Sequence, residues 1–154
     1  LVQHVIELRT DQDTLVYPIL FLYRQYLELT IKDIIRQALR VLDRDDDGGQ
    51  THRHEMPPLW ATCRKLLSDV PAYEKIEGIN QIQRLLSEFH KVDPASMAFR
   101  YPEDKGGKTS LPGVTQINLR NVRDTVGKMA NVLDAVTTLL DMELEYQQDM
   151  ASST

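Results

Sequence analysis

Three charged residues, Arg24, Glu28 and Lys32, recur at intervals of four within the longest helical pattern of the first half of the chain, residues 17–42. At 3.6 residues per turn, this spacing places the three side chains on one face of a helix. Arg and Lys can hold phosphate or carboxylate oxygens, and a Glu four residues away can orient either cation. Apolar residues cover most of the remaining helix surface, so we expect this helix to be surrounded by other elements. The charged row then lies either at the surface or in a polar pocket.

Three residues elsewhere could complete a site over this row. His54 stands at the entrance of the next predicted helix, where an imidazole can donate or accept a proton near neutral pH. Arg100 and Tyr101 lie in a long loop, residues 93–113, and offer a bidentate cation and a ring that can stack on a base. The predicted ligand-binding set is therefore Arg24, Glu28, Lys32, His54, Arg100 and Tyr101. In the alternative, the same residues only pin the loop to the helices.

Catalytic residues are harder to single out. Arg84 and His90 form an Arg-x5-His pair, but on one continuous helix they point about 120° apart and converge only if the helix ends between them. An exposed Arg and a His at a helix end are favoured for this pair. The candidates for catalysis are His54, Arg100, Arg84 and His90.

An acidic connection follows the charged helix and resembles the start of a calcium loop. Asp43, Asp45 and Asp47 occupy positions 1, 3 and 5 of an EF-hand pattern. The position that needs a bidentate Glu is His54, so a solvated turn is favoured and calcium is a weak candidate. No other metal and no cofactor are predicted. Cys63 falls on an apolar stripe, where burial makes a thiol unreactive.

Size and composition narrow the classes of protein. The chain has 154 residues, 42% of them apolar and 27% charged, which predicts one folded domain over residues 1–147, followed by a flexible tail over 148–154. No stretch is long and apolar enough to span a membrane. The single cysteine fits a reducing, cytoplasmic location. A net charge of −5 argues against a broad electrostatic nucleic-acid binder.

The apolar periodicity predicts an all-α fold, an antiparallel up-down bundle of four main helices plus a short N-terminal helix. The N-terminal helix is expected over residues 1–10. The main helices are expected over residues 15–42, from the Pro57–Pro58 pair to the Asp69–Pro71 break, over 72–92 with Gly78 inside, and over 115–146.

Three segments together resemble the HEPN superfamily: YRQYLELTIKDII (23–35), HEMPPLW (54–60) and the Arg-Tyr-Pro element at 100–102. The resemblance implies a helical bundle that often dimerises, a link to prokaryotic defence or toxin–antitoxin systems, and contact with RNA or nucleotides. Many members are metal-independent endoribonucleases with an Arg-x4–6-His motif. Here no His follows Arg100 at that distance, and Gln25 stands where relatives often have His. The resemblance therefore favours a non-catalytic member.

Three functions follow as hypotheses. The first is a non-catalytic, homodimeric binding domain that recognises RNA, a nucleotide or a protein partner. The second is a metal-independent endoribonuclease in which His54 or His90 takes a ribose proton. The third is an acidic antitoxin or scaffold that binds a basic protein, which the net charge of −5 suits better than it suits nucleic acid.

Overall fold

The structure of the protein is a computed structural model that describes residues 12–46, 49–71, 73–92 and 119–153. This part of the chain is helical and contains no strand, which confirms the all-α class. The predicted N-terminal helix over 1–10 lies outside the described residues. The four helices are α1 (Gln12–Val41), α2 (Met56–Leu67), α3 (Ile79–Val92) and α4 (Leu119–Ser152), and two short 3-10 turns occupy Gln50–His52 and Tyr73–Lys75.

Helix α1 is the centre of the bundle, because both α2 and α4 pack against it while α3 packs on α2 and α4. Its inward residues recur at intervals of three and four, the spacing of one helix face. Each fully buried aliphatic side chain stabilises the fold by roughly 1.5–3 kcal/mol. The fully buried residues of the core include Leu27, Ile31, Ile34, Ile35, Leu59, Trp60, Cys63, Leu86, Leu133, Val136 and Leu140.

Helices α1 and α4 run in the same direction. Ile19 and Leu119 form one buried cluster near the beginnings of the two helices. Near their ends, the side chain of Gln147 donates a hydrogen bond to the backbone oxygen of Val41 at 2.9 Å. This pair differs from the predicted antiparallel order. Short loops force neighbouring helices to be antiparallel, but two helices and a long connection separate α1 from α4, so no such constraint applies.

The start of α3 corrects the prediction for Gly78. The helix begins at Ile79, so Gly78 precedes it instead of lying inside it. Gly78 has a φ of +85°, a left-handed conformation that favours glycine. A Cβ at this position would lie 2.8 Å from Cγ2 of Val132. Glycine therefore allows both the turn and a close approach of α3 to α4.

The end of α4 also differs from the prediction. The helix continues to Ser152, so residues 148–152, predicted as a flexible tail, are helical. Neither glycine nor proline occurs after Gly127, so the sequence contains no strong stop signal there. The hydroxyl of Ser152 donates back to the backbone oxygen of Gln148 at 2.8 Å.

Two predictions about the apolar segments have direct outcomes. Cys63 is buried as predicted, and burial raises the pKa of its thiol, so the unreactive protonated form prevails. Within the described ranges, no helix has the length and apolar character needed to cross a membrane.

Candidate functional site

The site begins where α1 ends and the chain reverses. The backbone N–H of Arg44 donates to the carbonyl of Leu39 at 2.9 Å, and that of Asp43 donates to Arg40 at 3.1 Å. These two bonds form a Schellman motif, which requires a left-handed residue between helix and loop. Asp43 supplies it with a φ of 50°. Asp43 thus terminates the helix, a structural role that the calcium-loop interpretation did not include.

From this reversal the chain returns along α1. The path covers about 20 Å of helix, the rise of some 13 residues, before His54 reaches the level of Glu28. Gly49 adopts a left-handed conformation before the 3-10 turn, and Glu55 is extended before α2. Proline in the first turn of α2 suits a helix start, because N–H groups there have no partner within the helix. The return places the segment that carries His54 over the charged row of α1.

The charged row is buried beneath this segment, and His54 joins it. Arg24 donates from Nη2 to the backbone oxygen of His54 at 3.1 Å. The Nζ of Lys32 lies 2.7 Å from Oε1 of Glu28, and Nδ1 of His54 lies 2.8 Å from the same oxygen. Only 2%, 5% and 6% of Arg24, Glu28 and Lys32 are exposed. The structure therefore brings together four of the six predicted ligand-binding residues.

The contact with Glu28 determines which nitrogen of the His54 ring donates. A carboxylate oxygen only accepts hydrogen bonds, so Nδ1 must carry the proton that bridges the 2.8 Å to Glu28. Lys32 Nζ, 3.5 Å from the same nitrogen, cannot then donate to it. In the neutral ring this tautomer leaves the lone pair on Nε2.

The charge of Glu28 is stabilised by its neighbours. Burial by itself raises the pKa of this carboxyl group. The hydrogen bonds and positive charge contributed by Lys32 and His54 outweigh that effect together, so the pKa lies below its ordinary value of 4.5. Glu28 is therefore ionised at neutral pH and accepts two hydrogen bonds on Oε1.

The His54 ring faces solvent although one of its nitrogens is held. Its side chain is 76% exposed, whereas the side chain of Glu28 is 7% exposed. An exposed imidazole that a buried carboxylate holds in place can serve in two ways. Nε2 can hydrogen-bond a ligand, or it can take a proton as a general base.

The other predicted site residues lie on α3 or outside the described residues. Arg100 and Tyr101 lie outside the described residues. Arg84 is exposed on α3, and His90 belongs to the same uninterrupted helix. Because no helix end separates them, their positions stay about 120° apart on the helix. They therefore do not form a convergent pair.

Metal ligation has little support among the described residues. That part of the chain contains no group of three or more His, Cys, Asp or Glu side chains able to hold an ion. Asp43 and Asp45 are exposed, and Asp47 lies outside the described residues.

Two exposed apolar rows were missed by the sequence interpretation. Leu22, Tyr26 and Leu29 are exposed on α1, so the expectation that other elements surround this helix is wrong for that side. On α4 the exposed row consists of Met142, Tyr146 and Met150. The four-residue spacing from 142 to 150 was a readable signal, but the predicted helix ended at Tyr146 and Met150 was assigned to the flexible tail.

No protein-family model, curated protein or solved structure matches this chain.

Proposed function

We propose that the protein is a non-catalytic HEPN-like binding domain that recognises a phosphate-bearing ligand, RNA or a nucleotide, at the His54 site. We define this site as Arg24, Glu28, Lys32 and His54. The observation that carries the proposal is the exposed His54 ring, which is held by the buried Glu28 above two buried cationic side chains. The resemblance to HEPN proteins supports the same class of ligand.

The chemistry of the site favours an anion. Arg24 and Lys32 place two positive charges under the segment that carries His54. Lys32 is paired with Glu28, and Arg24 donates to the backbone oxygen of His54. Charge-assisted hydrogen bonds to phosphate oxygens are short and about twice as strong as neutral ones. A ligand that approaches this site meets the exposed His54 ring first, and the Lys32–Glu28 pair lies buried behind it.

The experiment compares two histidines of the same connection. In His54→Ala the ring is lost, but the backbone oxygen that accepts from Arg24 remains. His52, also exposed, has no contact with the charged row among the described interactions, so His52→Ala is the matched control. Binding of fluorescent single-stranded RNA is titrated, with ATP and inorganic phosphate as competitors. We expect His54→Ala to weaken binding about tenfold or more and His52→Ala to leave it unchanged.

Equal RNA binding by both variants would contradict the proposal. The cluster would then serve only to hold the connection against α1. A thermal melt of each variant separates the two roles. Binding must fall in His54→Ala at a temperature where the variant is still folded.

A second candidate function, a metal-independent endoribonuclease, is favoured by one observation. The 2.8 Å contact between Glu28 and His54 Nδ1 leaves Nε2 free of the buried cluster, as a general base requires. His54 would take the proton of a ribose 2′-hydroxyl as that oxygen bonds to phosphorus. The bond from phosphorus to the 5′-oxygen would break, the departing oxygen would take a proton from water, and an Arg would steady the phosphate. Cleavage of RNA in EDTA must then occur and must disappear in His54→Ala. If cleavage in the nuclease-free wild-type preparation is absent, this candidate is excluded.

The remaining features of the proposal come from the resemblance, the composition and the apolar periodicity. They are a homodimer, the short N-terminal helix over residues 1–10, a cytoplasmic location, and a place in a prokaryotic defence or toxin–antitoxin system. Sedimentation velocity tests the first of these without reference to the ligand.

A further inference from the structure

The last turns of α4 present an apolar row to solvent. Met142 and Tyr146 are each 62% exposed, and Met150 is 56% exposed. Their spacing of four residues places them along one slightly slanted line on the helix surface. Large apolar side chains exposed singly are common, but a row of three on one helix face is the pattern that an amphipathic partner recognises.

Acidic residues border this row. Asp141, Glu145 and Asp149 recur at the same four-residue interval, next to the apolar row, and Glu143 lies on its other side. Asp141, Glu145 and Asp149 are exposed. No lysine, arginine or histidine occurs after Lys128, whereas five of the 23 acidic residues do. Since the chain has 18 basic residues, this imbalance accounts for the whole net charge of −5.

The packing of α4 leaves this surface accessible. Gln147 is bonded to the last residue of α1, so the side of α4 that carries Gln147 faces the bundle. Tyr146 and Met150 lie about 100° and 60° around the helix from Gln147. Residues 148–152 extend about 8 Å past that contact. The apolar row of α4 therefore lies beside the end of α1 and extends past it.

We propose that this face of α4, Met142, Tyr146 and Met150 with their acidic border, docks a basic amphipathic helix of a partner protein. An apolar stripe on such a helix covers the Met and Tyr side chains, and its Lys and Arg residues meet the carboxylates. Uniform negative charge disfavours nucleic acid and anionic lipid. It also disfavours a second copy of α4, because either orientation would bring carboxylates together. This surface is separate from the His54 site, so the proposal does not depend on the ligand of that site.

The test uses a synthetic helical peptide of about five turns with leucine on one face and lysine on its flanks. Fluorescence anisotropy measures its binding to the full chain. We expect wild type to bind it with a Kd of about 100 μM or tighter. Met142→Ser combined with Tyr146→Ser, and Glu145→Lys alone, should each weaken binding about tenfold. Raising the salt concentration from about 0.05 to about 0.5 M should weaken it as well.

Two variants on α1 serve as controls: Leu22→Ser removes an exposed apolar side chain, and Asp33→Lys reverses an exposed charge. Both should bind like wild type, and so should His54→Ala. Three results would overturn the proposal. They are no binding by wild type, equal binding by every variant, and equal binding of a second peptide in which serine replaces every leucine. Self-association that Tyr146→Ser abolishes would also overturn it in favour of a second copy.

Discussion

Two rows of residues on α1 have nearly the same spacing but differ in burial. Arg24, Glu28 and Lys32 are charged and buried, whereas Leu22 and Leu29 are apolar and more than half exposed. The connection to α2 returns along the charged row, and the backbone of His54 accepts a hydrogen bond from it. In these two rows, burial therefore follows the path of the neighbouring segment more than the polarity of the residues. A buried charged row held by specific bonds occurs in functional sites and in structural ion-pair networks alike.

Removal of Glu28 should destabilise the protein far more than removal of an exposed carboxylate on the same helix. In Glu28→Ala the ammonium group of Lys32 stays buried without the carboxylate that accepts its hydrogen bond. Breaking a buried pair in this way costs about 3 kcal/mol or more. Urea denaturation measures the change. Asp33→Ala, which removes a carboxylate exposed on the same helix, should change stability by less than about 0.5 kcal/mol. Similar losses in both variants would show that the buried row is not special.

Acid should lower the stability of the protein by a smaller amount, through protonation of Glu28. The pKa of Glu28 is lowered in the folded protein, so the unfolded chain binds its proton more readily. The contribution of Glu28 to stability is therefore complete above its ordinary pKa of 4.5 and is lost as the pH falls through the folded value. Wild type and Glu28→Gln, compared by denaturation from neutral pH downward, should converge over this range. A constant difference between them would contradict the pKa shift.

A glycine in place of Asp43, in the connection that covers the charged row, should stabilise the protein. Asp43 has a positive φ, which glycine adopts without steric cost. We expect Asp43→Gly to stabilise the protein by about 0.5–1 kcal/mol and Asp43→Ala to destabilise it. Thermal unfolding distinguishes the two. The opposite order would mean that the Asp43 side chain has a role beyond the turn.

The exposed apolar row should show the smallest effect. Leu29→Ser removes an apolar side chain that solvent already reaches, so stability should change by about 0.5 kcal/mol or less. Leu27→Ala, two residues away and fully buried, should cost about 2–5 kcal/mol. A large loss in Leu29→Ser would mean that this row is covered in solution.

Much of the fold could be predicted from local signals. The apolar periodicity of residues such as Leu27, Ile31 and Ile34 identified the long helix, and Pro57 with Pro58 identified the start of α2. Cys63 was correctly expected to be buried. Helix limits were less accurate: α4 ended later than expected, and Gly78 proved to precede α3. Gly78 has a positive φ, and a Cβ there would lie 2.8 Å from Val132, a close approach of two helices that local patterns do not reveal.

Two facts about the site could be predicted from the sequence alone. They are the four-residue spacing of Arg24, Glu28 and Lys32, and the choice of His54 as a candidate site residue. Only the tertiary structure decided that the row is buried, that Nδ1 of His54 bonds to Glu28, and that the apolar side of the same helix is exposed. The physical reason is that helix periodicity sets which residues share a face. What covers that face depends on the path of a distant segment, and no local pattern encodes that path.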